Sequence, residues 1–150
     1  MKILFVRKAL LVLVAFAVAL TVQNTVAAPV PPNPVLIFLG QEHVVIGGKT
    51  FIRYYFDVFN KDEYPAELFA ADPSLPPCGT NTKAARTWVD IYTQSGKRLN
   101  GFCALAKPAD LARIWFALDE NDVPPSLVYI ELNDRKTNTK YKSNIAETTL

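Results

Sequence analysis

The chain is 150 residues long, half of them hydrophobic and one fifth charged, with 11 prolines, two cysteines and a formal charge of +2. That length suits one globular domain, and a single histidine with two cysteines is too few soft side chains for a structural zinc site built from His and Cys. Three of the 16 cations, Lys2, Arg7 and Lys8, lie at the extreme N-terminus; without them thirteen cations face 14 anions, a net charge of −1, and no basic run remains to neutralise a nucleic-acid backbone.

Residues 1–8 are positively charged, and Ala9 to Val22 is apolar apart from Thr21. As a helix those fourteen residues rise only about 21 Å, against about 30 Å of bilayer hydrocarbon, so the segment reads as a signal peptide rather than a membrane span. Small residues follow in Thr25-Val26-Ala27-Ala28-Pro29, and a cut after Ala27 keeps Pro29 off the scissile bond. The expected division is therefore 1–27 signal peptide, 28–34 Pro-rich lead-in and 35–150 domain. The mature chain is expected in a bacterial periplasm or outside the cell, with no stable membrane span and no Asn-x-Ser/Thr sequon.

From Val35 onward short apolar runs alternate with Gly and Pro breaks, which predicts strands and no substantial helix. Strands are expected at Val35–Leu39, Val44–Ile46 and Phe51–Asn60, the last with Ile52, Tyr54, Phe56 and Val58 toward the core. Residues 61–83 read as a long connection with a short helix at Glu67–Ala71. Arg86–Tyr92 and Arg98–Leu105 form a hairpin across Gln94-Ser95-Gly96-Lys97. Leu111–Leu118 is the next strand, Asp119–Pro125 a polar turn, and Leu127–Leu132 with Lys140–Ile145 a last hairpin. About seven strands in this length predict an all-β fold, a two-sheet antiparallel β-sandwich.

An exported chain meets an oxidising compartment, where two thiols usually pair, so Cys78 and Cys103 are expected as a disulfide closing a loop of 26 residues. Such a bridge contributes roughly 3 to 4 kcal/mol. A catalytic thiol would need a base beside it, and His43 is the only imidazole.

The run Pro124-Pro125-Ser126-Leu127-Val128-Tyr129-Ile130-Glu131-Leu132-Asn133-Asp134-Arg135, followed by Tyr141-Lys142-Ser143-Asn144, resembles the last two strands of a fibronectin type III or related immunoglobulin-like domain. The resemblance covers the C-terminal third by motif and the rest by strand count. It implies a Greek-key sandwich.

Asp57 and Asp90 are mid-strand carboxylates, a pair that a small hydrolase would use, although salt bridges to Arg53 or Arg86 explain them as well. Asp119-Glu120-Asn121-Asp122 gathers oxygen ligands without the spacing of a calcium loop. If Thr87, Val89 and Ile91 face the core, Arg86, Trp88, Asp90 and Tyr92 line the outer face, joined by Arg113 and Trp115 from another strand. Arg, Trp and Tyr dominate binding hot spots, so these residues are the candidate binding surface, with a structural role for Trp88 as the competing reading. The sequence thus points to an exported, non-catalytic binding or adhesion module for a protein or glycan, with no cofactor and no metal. The alternatives are a carboxylate-dependent hydrolase and a structural subunit that adds strands through Pro29–Leu39.

Overall fold

In the computed structural model, which describes residues 30–78 and 84–149, the alternating segments form eight strands. They are β1 (Leu36–Ile46), β2 (Lys49–Val58), β3 (Thr87–Thr93), β4 (Arg98–Phe102), β5 (Ile114–Asp119), β6 (Leu127–Asp134), β7 (Thr139–Lys142) and β8 (Ala146–Glu147). The expected signal peptide at 1–27 and part of the long connection, 79–83, lie outside the described residues. The strands make two antiparallel sheets, β1-β2-β5 and β4-β3-β6-β7, with β8 also paired to β6. This is an all-β sandwich.

Alternation decides which residues fill it. On β2, Tyr54, Phe56 and Val58 are buried between the sheets, and on β3 Thr87, Val89 and Ile91 are fully enclosed. Tyr54 stacks on Phe116 of β5 with ring centroids 4.9 Å apart, and Phe56 lies 5.9 Å from the same ring. Each such side chain contributes about 1.5–3 kcal/mol by leaving water.

Several expected elements differ; the strands expected at Arg98–Leu105 and Lys140–Ile145 end at Phe102 and Lys142. The two short strands expected at Val35–Leu39 and Val44–Ile46 are one strand, because Gln41, Glu42 and His43 keep pairing with Tyr54, Arg53 and Ile52; an irregularity between Phe38 and Gly40, where Gly40 takes φ +133°, absorbs the extra residue. The helix expected at Glu67–Ala71 is a 3-10 turn at Ala66–Phe69 that buries Leu68 and Phe69. The strand expected from Leu111 starts only at Ile114, because Pro108 opens a 3-10 helix over Pro108–Arg113 and Asp110 accepts the Ala106 and Lys107 N–H groups at 2.8 and 3.2 Å. Among the described residues no helix is long and apolar enough to cross a membrane.

Asparagine amides close both sides of the sandwich. Between the sheets on one side, Asn100 of β4 donates to the Trp115 carbonyl of β5 at 2.7 Å. On the other, Asn144 accepts the Leu36 N–H at 2.7 Å and donates to the Leu36 carbonyl at 3.1 Å, standing where a neighbouring strand would stand. The lead-in is docked too, since the Tyr64 hydroxyl donates to Pro32 O and the Asn60 amide to Asn33 O.

Candidate functional site

The candidate residues do not share one surface. Trp88 and Tyr92 lie on β3 in the five-stranded sheet, whereas Trp115 lies on β5 in the three-stranded sheet. Arg113 ends the 3-10 helix before β5 rather than standing on a strand. Arg86 precedes β3 in a bend and leaves the outer face. Its guanidinium donates to both oxygens of buried Asp134, at 2.8 and 2.7 Å, and Asp134 also accepts from the Lys136 N–H and the Thr137 hydroxyl. These bonds, the Arg86 pair first, hold the Asp134 carboxyl down at about 2.

On the three-stranded sheet the arginines lie against the aromatic rings, although the buried Arg53 Nε–H has no partner among the described residues. The Arg53 guanidinium lies over the Trp115 ring at 4.6 Å and Arg113 over the Tyr55 ring at 4.5 Å. Glu42 accepts from the Tyr55 hydroxyl and pairs with Arg53 at 3.5 Å. Tyr55, although it points away from the core, is only 8% exposed. Arginines cap these rings.

The five-stranded sheet is arranged otherwise. Cys78, Trp88, Asp90, Arg98, Gly101, Phe102 and Cys103 line a cavity of about 340 Å³. Its existence depends on Gly101, which faces Asp90 across β3–β4. A Cβ there would stand 1.9 Å from Arg98 Nη2 and 2.6 Å from Asp90 Oδ1. The glycine therefore lets Arg98 fold back across the strand and donate to Asp90 at 2.7 Å. Arg135 covers one side of Trp88 at 5.2 Å while donating to the Ala85 and Pro76 carbonyls. The Trp88 Nε1–H is buried with no partner among the described residues, as is the Oδ1 of Asn133, the residue opposite Trp88 on β6. Farther along the same two strands, Tyr92 stacks on Tyr129 at 5.4 Å, with the Lys142 ammonium 3.9 Å over the Tyr129 ring. Trp88 and Tyr92 thus belong to one surface, and Trp115 and Arg113 to another.

Cys78 and Cys103, expected as a disulfide, are free thiols. They are neighbours in the cavity wall: the Cys103 thiol donates to the Cys78 carbonyl oxygen at 3.4 Å. Burial, with Cys103 beside it, pushes the Cys78 thiol up to about 12.

The carboxylate pair is separated by the sandwich. Asp57 faces outward on β2 and is held by Lys61 at 3.0 Å, while Asp90 faces outward on β3 and is held by Arg98. Packed sheets are about 10 Å apart before outward side chains are counted, so the two carboxyls exceed the roughly 5 to 9.5 Å that glycoside hydrolysis requires. Asp119 spends its carboxylate on the Asn121 backbone and side-chain N–H groups, closing a turn. Among the described residues no three His, Cys, Asp or Glu side chains converge as metal ligands.

Sequence reasoning passed over Arg98, Gly101, Asn133 and Tyr129. Gly101 carried a usable signal, since an isolated glycine inside a strand marks a bulge or a close approach. Comparison with protein-family models, curated proteins and solved structures finds no match to this chain.

Proposed function

We propose that this chain is an exported, non-catalytic binding module that takes a glycan in the Trp88 cavity, with the Tyr92–Tyr129 pair as the shelf beside it. The observation that carries the reading is the cavity itself: an aromatic wall with a buried, unpartnered indole N–H next to the Asp90–Arg98 pair. Rings that stack on apolar sugar faces, beside charged groups that bond hydroxyls, suit a carbohydrate. The volume also falls in the range of about 300–1,000 Å³ usual for small-ligand pockets.

The strand order supports kinship with immunoglobulin-like and fibronectin type III domains. It corresponds to their A-B-E and C-F-G arrangement, with the fourth strand carried beside the third. Export completes the proposal. Intact mass tests it: the exported protein should begin at Ala28. A full-length mass removes it.

The ligand reading is tested by titrating the isotope-labelled protein with a panel of oligosaccharides and, separately, of peptides, and following amide and indole resonances. Saturable shifts at the Trp88 indole and the Gly101 and Cys103 amides with a saccharide are expected. Shifts with peptides alone, or confined to the Trp115 face, or none at millimolar ligand, overturn it.

A further inference from the structure

The borders of the two sheets are finished differently. β4 faces β5 through the Asn100 amide, and at the start of β1, where β8 lies alongside, Asn144 just before β8 bonds both polar groups of Leu36. β7 is four residues long and carries Lys140 and Lys142, the short, lysine-bearing border that discourages pairing. β1 has 11 residues, no lysine and no proline, and among the described residues no strand is hydrogen-bonded to its outer border. Its one carboxylate, Glu42, is engaged by Arg53 and Tyr55 of its own sheet.

The unprotected stretch has fixed limits and a centre. Gly47 and Gly48, both at positive φ, turn β1 into β2, and Ile46 faces Lys49 as the pair that closes that two-residue turn. Antiparallel pairs alternate in hydrogen bonding, so counting back in twos from the residue before Ile46 leaves the N–H and C=O of Val45, His43 and Gln41 facing away from β2. The irregularity between Phe38 and Gly40 ends the regular stretch on the other side. His43 is its midpoint.

We propose that β1 pairs antiparallel with β1 of a second copy about a two-fold axis at His43, joining two three-stranded sheets into one of six strands. A two-fold axis normal to an antiparallel pair must set a residue opposite its own copy. With His43 on the axis, Gln41 lies opposite Val45 of the other copy and Ile46 opposite Gly40. Ile46 is 56% exposed in the single chain, and the space beside Gly40 is open. The same axis brings the outward donors and acceptors of the two strands into register. Charge agrees with this occupant: Glu42, the strand's only formal charge, is balanced within its own protomer, so two copies meet without repulsion.

The test exploits the register. Residues opposite each other in a hydrogen-bonded antiparallel pair have Cα atoms about 5.5 Å apart, within disulfide reach. His43→Cys should therefore cross-link to itself under mild oxidation. Gln41→Cys, displaced by four positions from its own copy, should not. Sedimentation of the purified wild-type protein should give twice the chain mass at tens to hundreds of micromolar, about the range of a modest interface. His43→Lys places two ammonium groups at the axis, so it should return the mass to that of one chain without changing the circular dichroism, and His43→Pro, which removes the outward N–H at a position where an edge strand tolerates proline, should do the same to the mass. A wild-type protein that stays monomeric throughout that range overturns the proposal. So does cross-linking that is equal at positions 41 and 43, or a His43→Lys protein that associates like the wild type.

Discussion

The outer faces of the two sheets use the same side chains to opposite ends. On the three-stranded sheet Trp115 and Tyr55 each lie under an arginine, and Glu42 ties the group together. On the five-stranded sheet Trp88 is covered on one side only, and the residue facing Asp90 across the neighbouring strand is Gly101, so a hollow remains. An aromatic residue among arginines is therefore packing or a binding wall according to what stands across from it. The three-stranded face should contribute stability, and the five-stranded face ligand contact.

The variants that break or sharpen this contrast are ordered by expected effect. Asp134→Asn comes first, because Asp134 and Arg86 fix the ends of β6 and β3 on which the cavity rests. Stripping a buried charge of its partner costs about 3 kcal/mol, read as a lower urea midpoint. The depressed Asp134 pKa supplies a companion test. Its stabilisation is present above the unfolded-state value of about 4 and disappears as pH falls toward about 2, a loss of roughly 2 kcal/mol that the Asn variant should not show.

Trp115→Ala follows at about 2 kcal/mol, since the half-buried ring carries Arg53 on its face and meets Phe102 edge-on at 5.8 Å. If the contrast holds, it disturbs saccharide titration far less than Gly101→Ala does, reaching the cavity only through its contact with Phe102. Gly101→Ala should cost about 1 kcal/mol by displacing Arg98 and should abolish titration by filling the cavity. Equal binding by Gly101→Ala and wild type would make the two faces equivalent. Arg98→Ala ranks beside Gly101→Ala: Arg98 is 59% exposed but Asp90 only 12%, so the variant leaves a mostly buried carboxylate with the Asn133 amide alone, a cost of about 1 kcal/mol read as a lower thermal midpoint.

The strands were legible because alternation is local: Ile52, Tyr54, Phe56 and Val58 announced the inward face of β2, and Thr87, Val89 and Ile91 that of β3. The candidate surface was legible only as residue types. Trp88 and Trp115 look alike in sequence, and what separates them is the residue that pairing places opposite, which depends on register between distant segments. Arg86 was misassigned for a similar reason. Its spacing from Trp88 fits a strand, but the chain bends there so that its guanidinium meets Asp134, 48 residues away. Gly40 likewise joined two apparent strands, because a bulge is cheap at glycine and invisible to alternation.

The Asn144 amide gives the fold an order of assembly. A polypeptide is made from its N-terminus, so β1 and β2 can form their hairpin early, yet the contact that seals Leu36 spans 108 residues. Until Asn144 has been made, both polar groups of Leu36 stay open in the nascent chain, at the start of a strand whose remaining border is also bare. Contacts of such long separation form late and slow folding, and the interval is one in which strands join the wrong neighbours. Chains stalled short of residue 144 should therefore depend most on chaperones.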